Sequence, residues 1–191
     1  MNKYILVLSI PIIATIVSYI KENKDPIFKI KKEFYHYPVI LSYRYIHFVI
    51  YAYFAIVPFL VSVEKINNDI NMYIVASFFL IFTWMFMDIC FLALSELNHY
   101  EIKNIYSLQT SFHPGLKILF GDSCYIVNII LGFLFFINIS RIIYYYPFGS
   151  IVLKILFAVF IYVGIVKNLL NKQVKKKYCK SSLNDFIIKY M

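Results

Sequence analysis

Five long apolar stretches divide this chain, over 4–20, 39–63, 72–95, 124–146 and 148–170, with polar and charged residues gathered between and after them. About 18 apolar residues suffice for a helix to cross a bilayer, so each stretch predicts one membrane-spanning helix. The first is the shortest and follows Met-Asn-Lys, as a signal peptide would. Its exit, Ser18-Tyr19-Ile20-Lys21, lacks a small-x-small cleavage site and predicts a retained span.

Charge between the stretches sets the orientation. Five lysines lie in 21–38, two (Lys103 and Lys117) in 96–122, and seven from Lys167 onward. The opposite side carries only Lys3, Lys65 and Arg141. Basic residues favour the cytoplasmic side of a membrane, so the N-terminus is expected outside and the tail inside. The predicted fold is an all-α membrane protein with about five transmembrane helices, N-out and C-in. Residues 1–170 form the bundle and 171–191 a basic cytoplasmic tail.

Two cytoplasmic segments carry the pattern of helices lying in the membrane surface. Asp25-Pro26 reads as N-cap and first helical residue, followed by Ile27, Ile30, Phe34 and Tyr37 at helical spacing. In the tail, Ser182 and Asp185 precede an apolar face of Leu183, Phe186, Ile187 and Tyr190.

Composition agrees with a membrane location. The chain is 61% hydrophobic and only 15% charged, where a soluble domain has about half and about a quarter. Its net charge of +9 predicts contact between anionic head groups and Lys29, Lys31, Lys32, Lys175, Lys176 and Lys177. Nucleic acid is not an expected partner, because no aromatic residues alternate with the basic ones. Membrane-protein partners or a second copy of the chain are compatible with so small an outer surface. Cys90, Cys124 and Cys179 form no Cys-x-x-Cys pair, and no disulfide framework is read from them.

The candidate chemistry lies where charge enters the apolar runs. A charged side chain at bilayer depth costs about 2.5–3.5 kcal/mol on insertion scales and normally faces a partner. At about 100° per residue, Asp88, Ser95, Glu96 and His99 share one face of the third span if its helix continues past 96. Arg44 and His47 share a face of the second span. Equal depth from the cytoplasmic side predicts that Asp88 meets Arg44 or His47, with Asn128 near the same layer. Arg44, His47, Asp88, Ser95 and Asn128 are therefore the expected structural polar layer. The other expectation for Arg44 is that it snorkels to the interface alone.

Glu96-Leu97-Asn98-His99 and Glu33-Phe34-Tyr35-His36 both have Glu-x-x-His spacing. This spacing resembles the motif of di-iron carboxylate bundles, which implies a metal site of Glu33, His36, Glu96 and His99. No other feature of the chain carries that resemblance. Four scattered histidines are too few for the His-rich boxes of membrane desaturases. No Gly-x-Ser-x-Gly elbow and no Gly-rich phosphate loop is present. His113-Pro114-Gly115 reads as a turn.

Three functions fit this reading. The first is a non-enzymatic scaffold, assembly or membrane-interaction protein. The second is a membrane enzyme using Asp88, Glu96 and His99, with or without a metal ion, on a lipid-like substrate. The third is a small transporter or channel coupled through Asp88 and His47.

Overall fold

The computed structural model describes residues 4–22, 36–86, 91–100 and 114–174. Among these residues there are seven α-helices and no β-strand. They are α1 (Tyr4–Glu22), α2 (His36–Leu60), α3 (Asn68–Phe86), α4 (Phe91–Leu97), α5 (Pro114–Phe120), α6 (Cys124–Tyr145) and α7 (Ile151–Val174), with a 3-10 turn at Gly121–Ser123 before α6. Three helical stretches are long and apolar enough to cross a membrane: Tyr4–Glu22, His36–Leu60 and Ile126–Tyr145. Within α3 the apolar stretch Asn68–Thr83 is shorter.

The helices depart from the sequence reading at two places. The region 72–95 is helical wherever it is described, in α3 up to Phe86 and in α4 from Phe91, and residues 87–90 lie outside the described chain. Beyond Leu97 the α-helical pattern gives way to tighter closures. The His99 amide donates to the Glu96 carbonyl at 3.1 Å, and Tyr100 to Leu97 at 3.2 Å, both of the three-residue kind. Pro114 and Gly115 are the first residues of α5 rather than a turn. Proline suits that place because a first-turn N–H has no helical acceptor to lose. The surface helices expected from Asp25 and from Ser182 fall outside the described residues.

Helix α2 sits at the centre, packed against α1, α3, α4 and α6, while α7 lies against α3 and α6. Val57, Ile70, Tyr73, Ile81, Ile139, Ile142 and Ile161 fill the space between α2, α3, α6 and α7. One close approach depends on glycine. A Cβ on Gly164 of α7 would stand 2.1 Å from Ile81 Cγ2 of α3. The outer surface is apolar on α1, α3, α6 and α7, with Ile13, Phe79 and Phe133 each more than 60% exposed. Arg44 and Glu96 are 0% exposed. Apolar outside and ionic inside reverses the distribution of a water-soluble domain.

A proline in the last turn of α2 ties that helix to its neighbours. Pro58 lies inside α2 and has no N–H for the carbonyl four residues earlier, that of Phe54. Two neighbouring helices supply donors in its place. Tyr73 of α3 donates to the Phe54 oxygen at 2.9 Å, as does the Asn138 amide of α6, also at 2.9 Å. Arg141 of α6 donates to the Pro58 carbonyl at 3.3 Å and lies over the Phe59 ring. The broken hydrogen bond of α2 thus joins three helices.

At the end of the bundle holding Tyr4, Tyr4 bonds to Asp69 and Tyr146 to Asn71. Asn67 caps α3 by accepting from the Ile70 amide at 2.9 Å. The opposite end brings together the last turn of α1, the first turns of α2, the end of α4, and α5. The remaining charged groups of the described core lie there.

Candidate functional site

Arg44 lies eight residues into α2, about 12 Å along its axis at 1.5 Å per residue, and it is completely buried. It does not snorkel. Its guanidinium forks onto Glu22 of α1, with Nη2 to Oε1 at 3.0 Å and Nη1 to Oε2 at 3.3 Å. It meets Glu96 of α4 side-on, Nε and Nη2 reaching the same oxygen, Oε1, at 3.0 and 2.9 Å. Nη1 also donates to Ser18 Oγ at 3.1 Å, and Nη2 to the Tyr100 hydroxyl. A guanidinium has five N–H donors, and here every one is engaged.

Tyr100 closes the cluster. Its hydroxyl donates to Glu22 Oε1 and lies 3.3 Å from Glu96 Oε1. The tight turn after Leu97 delivers it there. Above the guanidinium stem, α5 contributes a glycine. A Cβ on Gly115 would stand 3.0 Å from both Arg44 Cγ and Phe48 Cζ, so any larger residue would crowd the arginine. Glu22, Arg44, Glu96 and Tyr100 are each no more than 2% exposed.

The two carboxylates are treated unequally. Both oxygens of Glu22 accept hydrogen bonds, whereas Glu96 Oε2 is buried and has no hydrogen-bond partner among the described residues. With both acids ionised, one positive and two negative charges would leave the cluster at −1.

A pair of histidines lies at the same end of the bundle. Nδ1 of His36, the first residue of α2, is 2.7 Å from Nδ1 of His99. The His99 ring also lies near Tyr43. At that distance one Nδ1 is the donor and the other the acceptor.

No known family model matches this chain, and neither a curated protein nor a solved structure does.

The expected site residues fall in different places. Arg44 and Glu96 share the cluster, and His36 and His99 are paired. His47, also buried, stacks on Tyr51 with ring centroids 5.2 Å apart. Ser95 is buried on α4, and Asn128 is half-buried on α6 with no hydrogen bond to the cluster among the described residues. Deeper in α6, Asn138 makes the inter-helix bond instead. Asp88, the partner predicted for Arg44, lies outside the described residues, as do Glu33, Lys29, Lys31, Lys32, Lys175, Lys176 and Lys177. Among the described residues no group of three or more His, Cys, Asp or Glu side chains is placed to hold a metal ion.

Ser18, Glu22 and Tyr100 were not anticipated, although the sequence holds a signal for each. Ser18 and Glu22 are four residues apart, and so are Glu96 and Tyr100. On a helix that spacing puts each pair on one face. Ending the first span at 20 assigned Glu22 to the interface among lysines, and this hid it.

Proposed function

We propose that this chain is an integral membrane protein of five spans, N-terminus outside and basic tail in the cytoplasm, acting as a non-enzymatic scaffold or assembly protein. The outward apolar faces of α1, α3, α6 and α7 support the location. The lysine distribution supports the orientation. One observation carries the non-enzymatic part: all five donors of Arg44 are taken by residues of the chain itself. An arginine with no free donor ties helices together and presents nothing to a substrate. The polar centre is then the clamp that holds α1 and α4 against α2, and partners meet the basic cytoplasmic face and its anionic lipids.

Full-length protein reconstituted into vesicles under a pH gradient tests this reading. It is expected to carry no current and no proton flux. Flux that disappears in Glu96→Gln would replace the scaffold by a transporter.

The enzyme reading retains one observation in its favour, because the histidines of both Glu-x-x-His sequences come within 2.7 Å of each other. Stoichiometric transition metal in detergent-purified protein, lost in His36→Gln and in His99→Gln, would promote it.

A further inference from the structure

The chain has two arginines, and the bundle treats them in opposite ways. Arg44 is closed in by side chains of the bundle itself. Arg141 of α6 is half-buried at the other end, where α6 approaches the link 146–150. Its Nη1 donates to the Pro58 carbonyl at 3.3 Å, and its guanidinium carbon stands 5.0 Å from the centre of the exposed Phe59 ring. Those contacts fix where the group lies without satisfying it. A guanidinium has five N–H donors, and among the described residues only one of them finds an acceptor and no acid forms an ion pair with the group.

The described acids of this end are Glu64 and Asp69. Asp69 accepts from Tyr4, and Glu64 is exposed on the link between α2 and α3. Both links here, 61–67 and 146–150, lie within the described residues. Residues 1–3 are Met-Asn-Lys and bring no acidic side chain. The other segments outside the described residues adjoin helices at the Arg44 end. Arg141 is about 25 Å along α6 from Cys124 at 1.5 Å per residue, so an acid from those segments would have to cross that depth of the bundle.

Arg141 lies about 6 Å along the axis from the end of α6. Tyr144 and Tyr145 follow it, 73% and 51% exposed, and tyrosines on the outside of a membrane bundle mark the head-group level. Lys154 of α7 donates to the Tyr144 carbonyl at 3.2 Å, which sets a second cation within one turn of Arg141 along α6. A charge inside a span normally faces a partner, and the anion a bilayer supplies at this depth is the lipid phosphate. A guanidinium suits it better than an ammonium does, because a planar fork meets two phosphate oxygens at once.

We propose that Arg141 is a phosphate-binding site at the Tyr4 end of the bundle, and that it takes the head-group phosphate of a membrane lipid. Such a site depends on the membrane location proposed above and not on which end faces the cytoplasm, since both leaflets carry phosphate.

The presence of only two arginines makes the contact measurable. The full chain, with nitrogen-15 in its arginine side chains, is placed in vesicles of phosphatidylcholine and phosphatidylglycerol. Solid-state NMR then records dephasing of the guanidinium nitrogens by nearby phosphorus. One of the two arginine signals is expected to be dephased, and to be the one lost in Arg141→Lys. No dephasing in wild type, a result that needs no variant to fold, would overturn the proposal. Dephasing that survives in Arg141→Lys would do the same, since only Arg44 remains there. In maltoside micelles free of phospholipid, inorganic phosphate is expected to give none. Equal dephasing by it would assign the site to a soluble anion and overturn the lipid. A chain that fails to float with the vesicles would sink the membrane location and the site together, whereas a floating chain without dephasing would sink the site alone.

Discussion

Replacing Arg44 by leucine strands Glu22 and Glu96 in the interior without their shared donor. It also removes partners from Ser18 and Tyr100. Removing one side of a buried ion pair costs about 3–5 kcal/mol, because the remaining charge is left uncompensated. At 1.4 kcal/mol per power of ten, the folding equilibrium should fall by about two to four powers of ten. The cost arises from the stranded acids and not from the loss of the arginine itself. Removing the acids as well, in Arg44→Leu/Glu22→Gln/Glu96→Gln, should therefore recover most of the stability, as charge-free replacements of buried ion groups often do. Reversible unfolding in mixed micelles, followed through the chain's single tryptophan, measures both variants. Arg44→Leu within about 1 kcal/mol of wild type would refute the reasoning, since an exposed pair contributes no more than that. A triple variant as unstable as Arg44→Leu would refute it on other grounds, by showing that packing and not charge sets the cost.

Two further outcomes follow from the packing. Gly164→Ala places a methyl group 2.1 Å from Ile81 Cγ2 and should cost about 1–3 kcal/mol as an overpacked contact; Ile81→Ala should relieve most of that loss in thermal melts of the double variant. Asn138→Leu removes one of two donors to the Phe54 carbonyl and should cost about 0.6–1.7 kcal/mol. In a Pro58→Ala background residue 58 regains its N–H for that same carbonyl, so the loss should shrink. A double-mutant cycle on unfolding free energies reads this coupling, and strict additivity would contradict it.

The parts of the fold visible in the sequence were those set by continuous hydrophobicity. The stretches 4–20, 39–63 and 124–146 match helices α1, α2 and α6 to within three residues at each end; α1 stops where charge returns at Lys21 and Glu22, and α6 stops just before Pro147. Composition said less about which polar residues meet. Arg44 stood out as a charge within an apolar run, and so did Glu96 at the end of another. Glu22 stood among lysines and looked solvated. Choosing between them requires knowing that α1 packs against α2, which no local pattern states. Tyr100 depended on the turn after Leu97, where three-residue closures replace the α-helix. The Pro58 node was half visible. A proline within a span announces an orphaned carbonyl, but which side chains would answer it, Tyr73 and Asn138, is decided by how α3 and α6 pack.

The central claim is that the chain threads a membrane with its lysine-rich segments in the cytoplasm, and cysteine labelling in sealed membranes tests it most directly. Cys90, Cys124 and Cys179 are first replaced by serine or alanine, and single cysteines are placed at Lys65, in the link between α2 and α3, and at Lys176, in the tail. An impermeant maleimide added to intact cells should label position 65 at once and position 176 only after the membrane is opened. Labelling of both positions from outside, or of position 176 alone, would contradict the orientation. Recovery of the protein in the soluble fraction would contradict the membrane location itself.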